Sequence, residues 1–111
     1  MHITVEMQIR RLAHDYLRHG GKQSRSKRVG RLCGACSWIA REFRINEISQ
    51  IGRRQVWSFY EVNSALKEKT ILEYFYAFQL LWILLQREGE PPRPKNCLTP
   101  KNLVDLKIET A

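Results

Sequence analysis

The stretch that most restricts what this chain can become is Thr70–Arg87, TILEYFYAFQLLWILLQR. It carries no internal glycine or proline, and Glu73, Gln79 and Gln86 are the breaks in an otherwise apolar run. A helix apolar on nearly every side has to be central and buried, because one amphipathic partner cannot cover it. The run falls short of the ~20 residues that span a bilayer. Thr70 followed by Glu73 three positions on has the form of a capping box, which satisfies backbone donors at a helix start. Gly89, with Pro91 and Pro92 beyond it, reads as the stop. The expectation is a core helix over 70–87 with the other helices wrapped around it.

Ahead of it, Val5–Arg18 reads as a first helix. Val5, Ile9, Leu12, Ala13, Tyr16 and Leu17 recur at three- and four-residue spacing, and Gln8, Arg11, Asp15 and Arg18 fall outside. Gly20-Gly21 ends it. Lys22–Arg31, KQSRSKRVGR, then places five basic residues in ten and runs directly into a second periodic segment. Val29, Leu32, Cys33, Cys36, Ile39, Ala40 and Phe43 form its apolar stripe, and Ser24 or Ser26 is its cap. Lys27, Arg31, Gly34, Trp38 and Arg41 share the opposite face. There the cations suit phosphates and Gly34 suits a close backbone approach. Trp38 suits either a sugar or partner contact, or half-burial against a neighbouring helix, and the second reading is preferred.

Phe43–Ile51 is a connector anchored by Ile45, Ile48 and Ile51. A third helix follows over about Arg53–Asn63, burying Val56, Trp57, Phe59, Tyr60 and Val62. Lys67 and Lys69 stand beside the start of the apolar helix, where free backbone amides already attract anions, and form a second candidate phosphate site. After Gly89 the composition shifts. Glu90–Cys97 holds three prolines in eight residues, the mark of an extended linker, and Thr99-Pro100 can start a short tail helix to about Lys107. The pattern is all-α, four helices and a tail. Residues 1–90 form one helical domain and residues 91–111 a linker and tail.

At 111 residues the chain holds a modest core, and its formal charge of +8 points to a polyanion, nucleic acid before an acidic membrane surface. Met1–Arg11 lacks the apolar segment of a secretory leader, and three cysteines, an odd number, fit a reducing, cytoplasmic setting. Cys33-x-x-Cys36 lacks the second pair that a structural zinc site needs, and it lies mid-helix on an apolar stripe, so buried thiols are the better reading. Cys97 stands alone, and His2, His14 and His19 have no ligand-like spacing. No glycine-rich phosphate loop and no Ser/His/Asp arrangement is present. The sequence therefore predicts no catalysis by this chain, no metal, no cofactor, no membrane and no small-molecule substrate. Basic helix starts above core-forming bodies suit the major groove of double-stranded DNA, whereas the aromatic sheets and glycine-rich clamps of RNA readers are missing.

The order of elements carries a resemblance. A first helix, then SRSKRVGRLCGACSWIAREF, a connector with paired isoleucines, QVWSFYE and LKEKTILEYFYAFQLLWILLQREGEPPRP together resemble the N-terminal core-binding domain of tyrosine recombinases, the phage-type integrases, over about Val5–Pro94. The most specific piece is Lys67-x-Lys69-Thr70 opening a long helix that contains Tyr74 and Leu81. The resemblance implies a SAM-like four-helix bundle clamping duplex DNA, with the second and fourth helices at the major groove. On this chain it implies contacts from Arg25, Lys27, Arg28 and Arg31, with Lys67, Lys69, Thr70 and Tyr74. Lys22 and Arg41 join them from the basic run and the outward face, and Glu73 is assigned to capping. It further implies roles in DNA integration and recombination within a mobile element, with a catalytic recombinase domain and sister protomers as partners. No His-x-x-Arg motif is present, so no tyrosine is assigned as nucleophile. The chain reads as an excised domain of an integrase or as a standalone relative. A standalone helical regulator and a protein-interaction bundle are the alternatives.

Overall fold

The computed structural model describes residues 3–19 and 21–94, Lys22 by its backbone alone. Among these residues the protein is all-α, with helices α1 (Val5–Leu12), α2 (His14–Arg18), α3 (Lys22–Phe43), α4 (Arg53–Val62) and α5 (Glu68–Leu84), and a 3-10 turn at Ile48–Gln50. No described helix is long and apolar enough to cross a membrane.

The expected first helix is divided. Thr4 caps α1 by accepting from the Met7 backbone, but Ala13 takes ψ near 4° and turns the chain into α2. The stripe of apolar residues runs on through the turn, so periodicity did not reveal it. Val5, Ile9 and Ala13 are buried as expected, whereas Leu12 faces solvent. Gln8, expected outside, ties α1 to the connector. Its amide nitrogen donates to the carbonyls of Ile3 and Asn46, and its oxygen accepts from Ile48 N–H at 3.0 Å.

Helix α3 begins two residues before the first serine considered as its cap. Gly21 adopts φ +72°, a conformation that glycine reaches without the cost other residues bear, and the Arg25 amide bonds back to its carbonyl. Val29, Leu32, Cys33, Cys36 and Ile39 are buried along the expected stripe. This helix, rather than α5, is the hub: it packs against α1, α2, α4 and α5. It ends with Arg44 in the left-handed region and Ile45 N–H bonded to Ala40 C=O. Ile48 and Ile51 are buried in the connector, and Ile45 is half-buried.

Helix α5 runs over Glu68–Leu84, not 70–87. Lys67 is its extended N-cap residue, and the ladder starts with Ile71 N–H on Lys67 C=O. Thr70 and Glu73 therefore sit inside the helix instead of capping it. The end is a Schellman motif: Gln86 N–H donates to Ile83 C=O, Arg87 N–H donates to Trp82 C=O, and Gln86 supplies the left-handed residue at φ +56°. Ile71, Phe75, Ala77, Phe78, Leu80, Leu81 and Trp82 are buried. The burial is not complete all round, because Tyr76 and Ile83 remain exposed on one outward strip.

Helix α4 lies against α5 through rings. Phe59 and Tyr60 both meet Phe78 edge-on, at centroid distances of 5.6 and 5.9 Å. Val62, expected inside, is exposed. The proline segment does not run free over its described part: Pro91, Pro92 and Pro94 are buried, the Tyr60 hydroxyl donates to Pro92 C=O at 2.9 Å, and Arg53 donates to Glu90 C=O. The Arg93 guanidinium lies 4.7 Å from the Phe75 ring centroid. The remainder of the tail, including the Thr99–Lys107 helix and Cys97, lies outside the described residues.

Candidate nucleic-acid interface

The basic run Lys22–Arg31 becomes the first half of α3, and the 3.6-residue period distributes its cations among different jobs. Arg25 is turned inward toward α2. Its guanidinium donates to the Tyr16 carbonyl at 2.9 Å and lies 4.4 Å from the Tyr16 ring centroid. That carbonyl belongs to the last turn of α2, where helix acceptors lack partners within the helix, so Arg25 caps α2 and fastens it to α3.

Lys27, Arg28 and Arg31 go elsewhere. With Ser24 they line one wall of an open cleft of about 340 Å³, and Glu73 and Tyr76 of α5 form the other wall. Arg31 bridges the walls, its Nη2 standing 2.9 Å from Glu73 Oε1. The Arg28 guanidinium lies 5.9 Å from the Tyr76 ring centroid and 3.4 Å from the Tyr16 hydroxyl. Lys27 is exposed at the rim. The cleft thus holds three cations against one carboxylate among its described lining residues, a net positive concavity that suits an anionic ligand.

The second expected site stands next to this one. Lys69 precedes Glu73 by one helical turn on the same face of α5, and Lys67 and Lys69 are both exposed at the α5 N-terminus. Thr70 is half-buried there. Besides Arg25, two expected contacts are placed apart from the cleft. Tyr74 leans into the core, its ring 5.0 Å from that of Phe59. Arg41 is exposed but lines a separate hollow with Thr4, Ser37 and Asn46. The side chain of Lys22 is outside the described residues.

Trp38 takes the preferred role: half-buried, it meets Phe59 edge-on at 5.9 Å. Gly34 has no neighbour among the described residues within 4 Å of where a Cβ would stand, so no described backbone uses its smallness. Sequence reasoning missed Tyr76 and the reach of Glu73 to α3. Tyr76 stands three residues after Glu73, a spacing that signals a shared face, but no sequence pattern announces which helix that face meets.

The two described cysteines, Cys33 and Cys36, are free and buried. Burial pushes the Cys36 thiol strongly upward, and burial also raises Cys33 against the opposing pull of Arg10. Both therefore stay protonated and poorly nucleophilic at neutral pH. No group of three or more metal-ligating side chains occurs among the described residues. Compared with known proteins, the chain matches no family model, no curated protein and no solved structure.

Proposed function

We propose that this chain binds double-stranded DNA through the cleft between α3 and α5, as the SAM-like core-binding domain of a tyrosine recombinase. The observation that carries the reading is the convergence of Lys27, Arg28 and Arg31 on one open cleft, with Lys69 on the adjoining turn. Lys27, Arg28, Lys67 and Lys69 take phosphates, and the cleft sets the register of the two helices on the duplex. Arg25 acts indirectly by holding α2 in place, and Tyr74 by packing. A catalytic recombinase domain and sister protomers complete the proposed assembly, and catalysis lies outside this chain.

The test is fluorescence anisotropy with a random-sequence duplex across a salt series. Micromolar binding is expected, with log affinity falling against log salt at a slope near −4. Replacing Lys27 and Arg28 together with Ala lowers that slope by about two, and replacing Lys67 and Lys69 lowers it by one to two, with little change in melting temperature. Absence of binding at low salt overturns the reading. The second reading, a protein-interaction bundle, draws on the apolar hollow of about 120 Å³ beside Trp57, Leu66 and Ile71. Binding to a protein partner that persists at high salt would favour it.

A further inference from the structure

Glu73 is out of place in a site built for phosphate alone. A carboxylate repels the phosphate backbone, yet this one stands in the wall of the basic cleft. As a tether between helices the pair is weak, because the side chains of Arg31 and Glu73 are 33% and 35% exposed, and ion pairs open to solvent hold little. What the pair does provide is a fixed combination: a planar guanidinium with further N–H donors beside a carboxylate acceptor, both reachable from the cleft.

Resting on the DNA reading above, we infer that the Arg31–Glu73 pair is the base-reading element of the cleft and selects a G·C pair in the major groove. Guanine presents O6 and N7 as two acceptors matched to the fork of an arginine, and its cytosine partner presents an N4 amine that a carboxylate accepts. An A·T pair offers the amine but lacks the O6/N7 acceptor pair. Glu73 holds Arg31 in register while repelling a bare phosphate from the same spot. Lys27, exposed at the rim, and Arg28, which reaches the neutral Tyr16 hydroxyl, are left for the backbone.

The experiment measures binding of the full chain to two labelled duplexes of equal length, one of alternating G·C and one of alternating A·T sequence. The unsubstituted chain is expected to bind the G·C duplex about tenfold more tightly. Glu73→Gln removes the repelling charge and releases Arg31, so both affinities rise, the salt slope steepens by about one, and the preference shrinks below about twofold. Arg31→Lys keeps the charge but loses the planar fork, so the preference falls while the slope stays. Melting curves establish that each variant is folded, and if one is not, the other decides. Equal binding of both duplexes by the unsubstituted chain overturns the inference and leaves the DNA reading standing. A preference that survives in the folded variants overturns it too, by placing the reading elsewhere. Binding to neither duplex overturns the DNA reading and the inference together.

Discussion

The two sides of α5 differ in kind. On one side, facing the first half of α3, lie Arg28, Arg31, Glu73 and Tyr76 around an open, charged cleft. On the other, facing α4, the rings of Phe59, Tyr60, Tyr74 and Phe78 meet at centroid distances between 5.0 and 6.5 Å, and prolines 91, 92 and 94 are buried nearby. Ring edges packed on ring faces remove large apolar areas from water, and each pair adds about 0.5–1.5 kcal/mol beyond the area alone. Half-exposed ion pairs contribute about 0–1 kcal/mol, because solvent screens them and their long side chains lose freedom. The same helix therefore supplies the fold with its anchor on one side and presents an open, charged surface to solvent on the other. Charge that added little to stability is free to serve binding.

The largest effects should separate the two sides. Phe78 is fully buried between the rings of Phe59 and Tyr60. Phe78→Ala is expected to lower the unfolding free energy by about 3–5 kcal/mol, read from urea titrations. Arg31→Gln, on the charged side, should cost less than about 1 kcal/mol in the same titration. Comparable losses would mean that the cleft is a structural joint and that the contrast is false.

A smaller effect tests whether the proline segment belongs to the apolar side. Tyr60 donates its hydroxyl proton to Pro92 C=O in buried surroundings. Tyr60→Phe keeps the ring contacts and removes that bond, at an expected cost of about 1 kcal/mol. Proteolysis at Arg93 should quicken in the same variant if the bond is what holds residues 91–94 down. An unchanged melting temperature and cutting rate would show that the segment is held by its other contacts, the Arg53 bond to Glu90 C=O and the Arg93–Phe75 stack among them.

The helices were legible in the sequence because burial writes itself as period. Val29, Leu32, Cys33, Cys36 and Ile39 fell on one stripe and are buried. The boundaries were less legible, because caps are made by conformation as well as by residue type. Gln86 ends α5 in a left-handed conformation that side chains other than glycine rarely adopt, and Lys67 begins the helix without a capping hydroxyl. The break at Ala13 left no trace either, as alanine is a strong helix former and the stripe continues past it. The basic run announced a charged site, but its distribution did not follow from composition. Arg25 was drawn away by a carbonyl of α2, and Arg31 by a carboxylate some forty positions along the chain, a pairing that depends on how the helices cross.

The smallest expected effect bears on the two glycines within α3. Gly30 and Gly34 lie inside a 22-residue helix, and neither has a neighbour within 4 Å of an added Cβ. Packing among the described residues therefore does not require them, although each loosens the helix by about 0.8–1.0 kcal/mol relative to alanine. Gly34 is exposed on the same face as Lys27 and Arg31. Gly30→Ala and Gly34→Ala should each raise the unfolding free energy by about 0.5–1 kcal/mol, measured by denaturant midpoint. If the duplex backbone rides against α3, the added methyl at position 34 should weaken DNA binding even as it stabilises the fold. A Gly34→Ala protein that is both more stable and equally tight in binding would move the duplex off this face, and with it the division of labour between the two sides of α5.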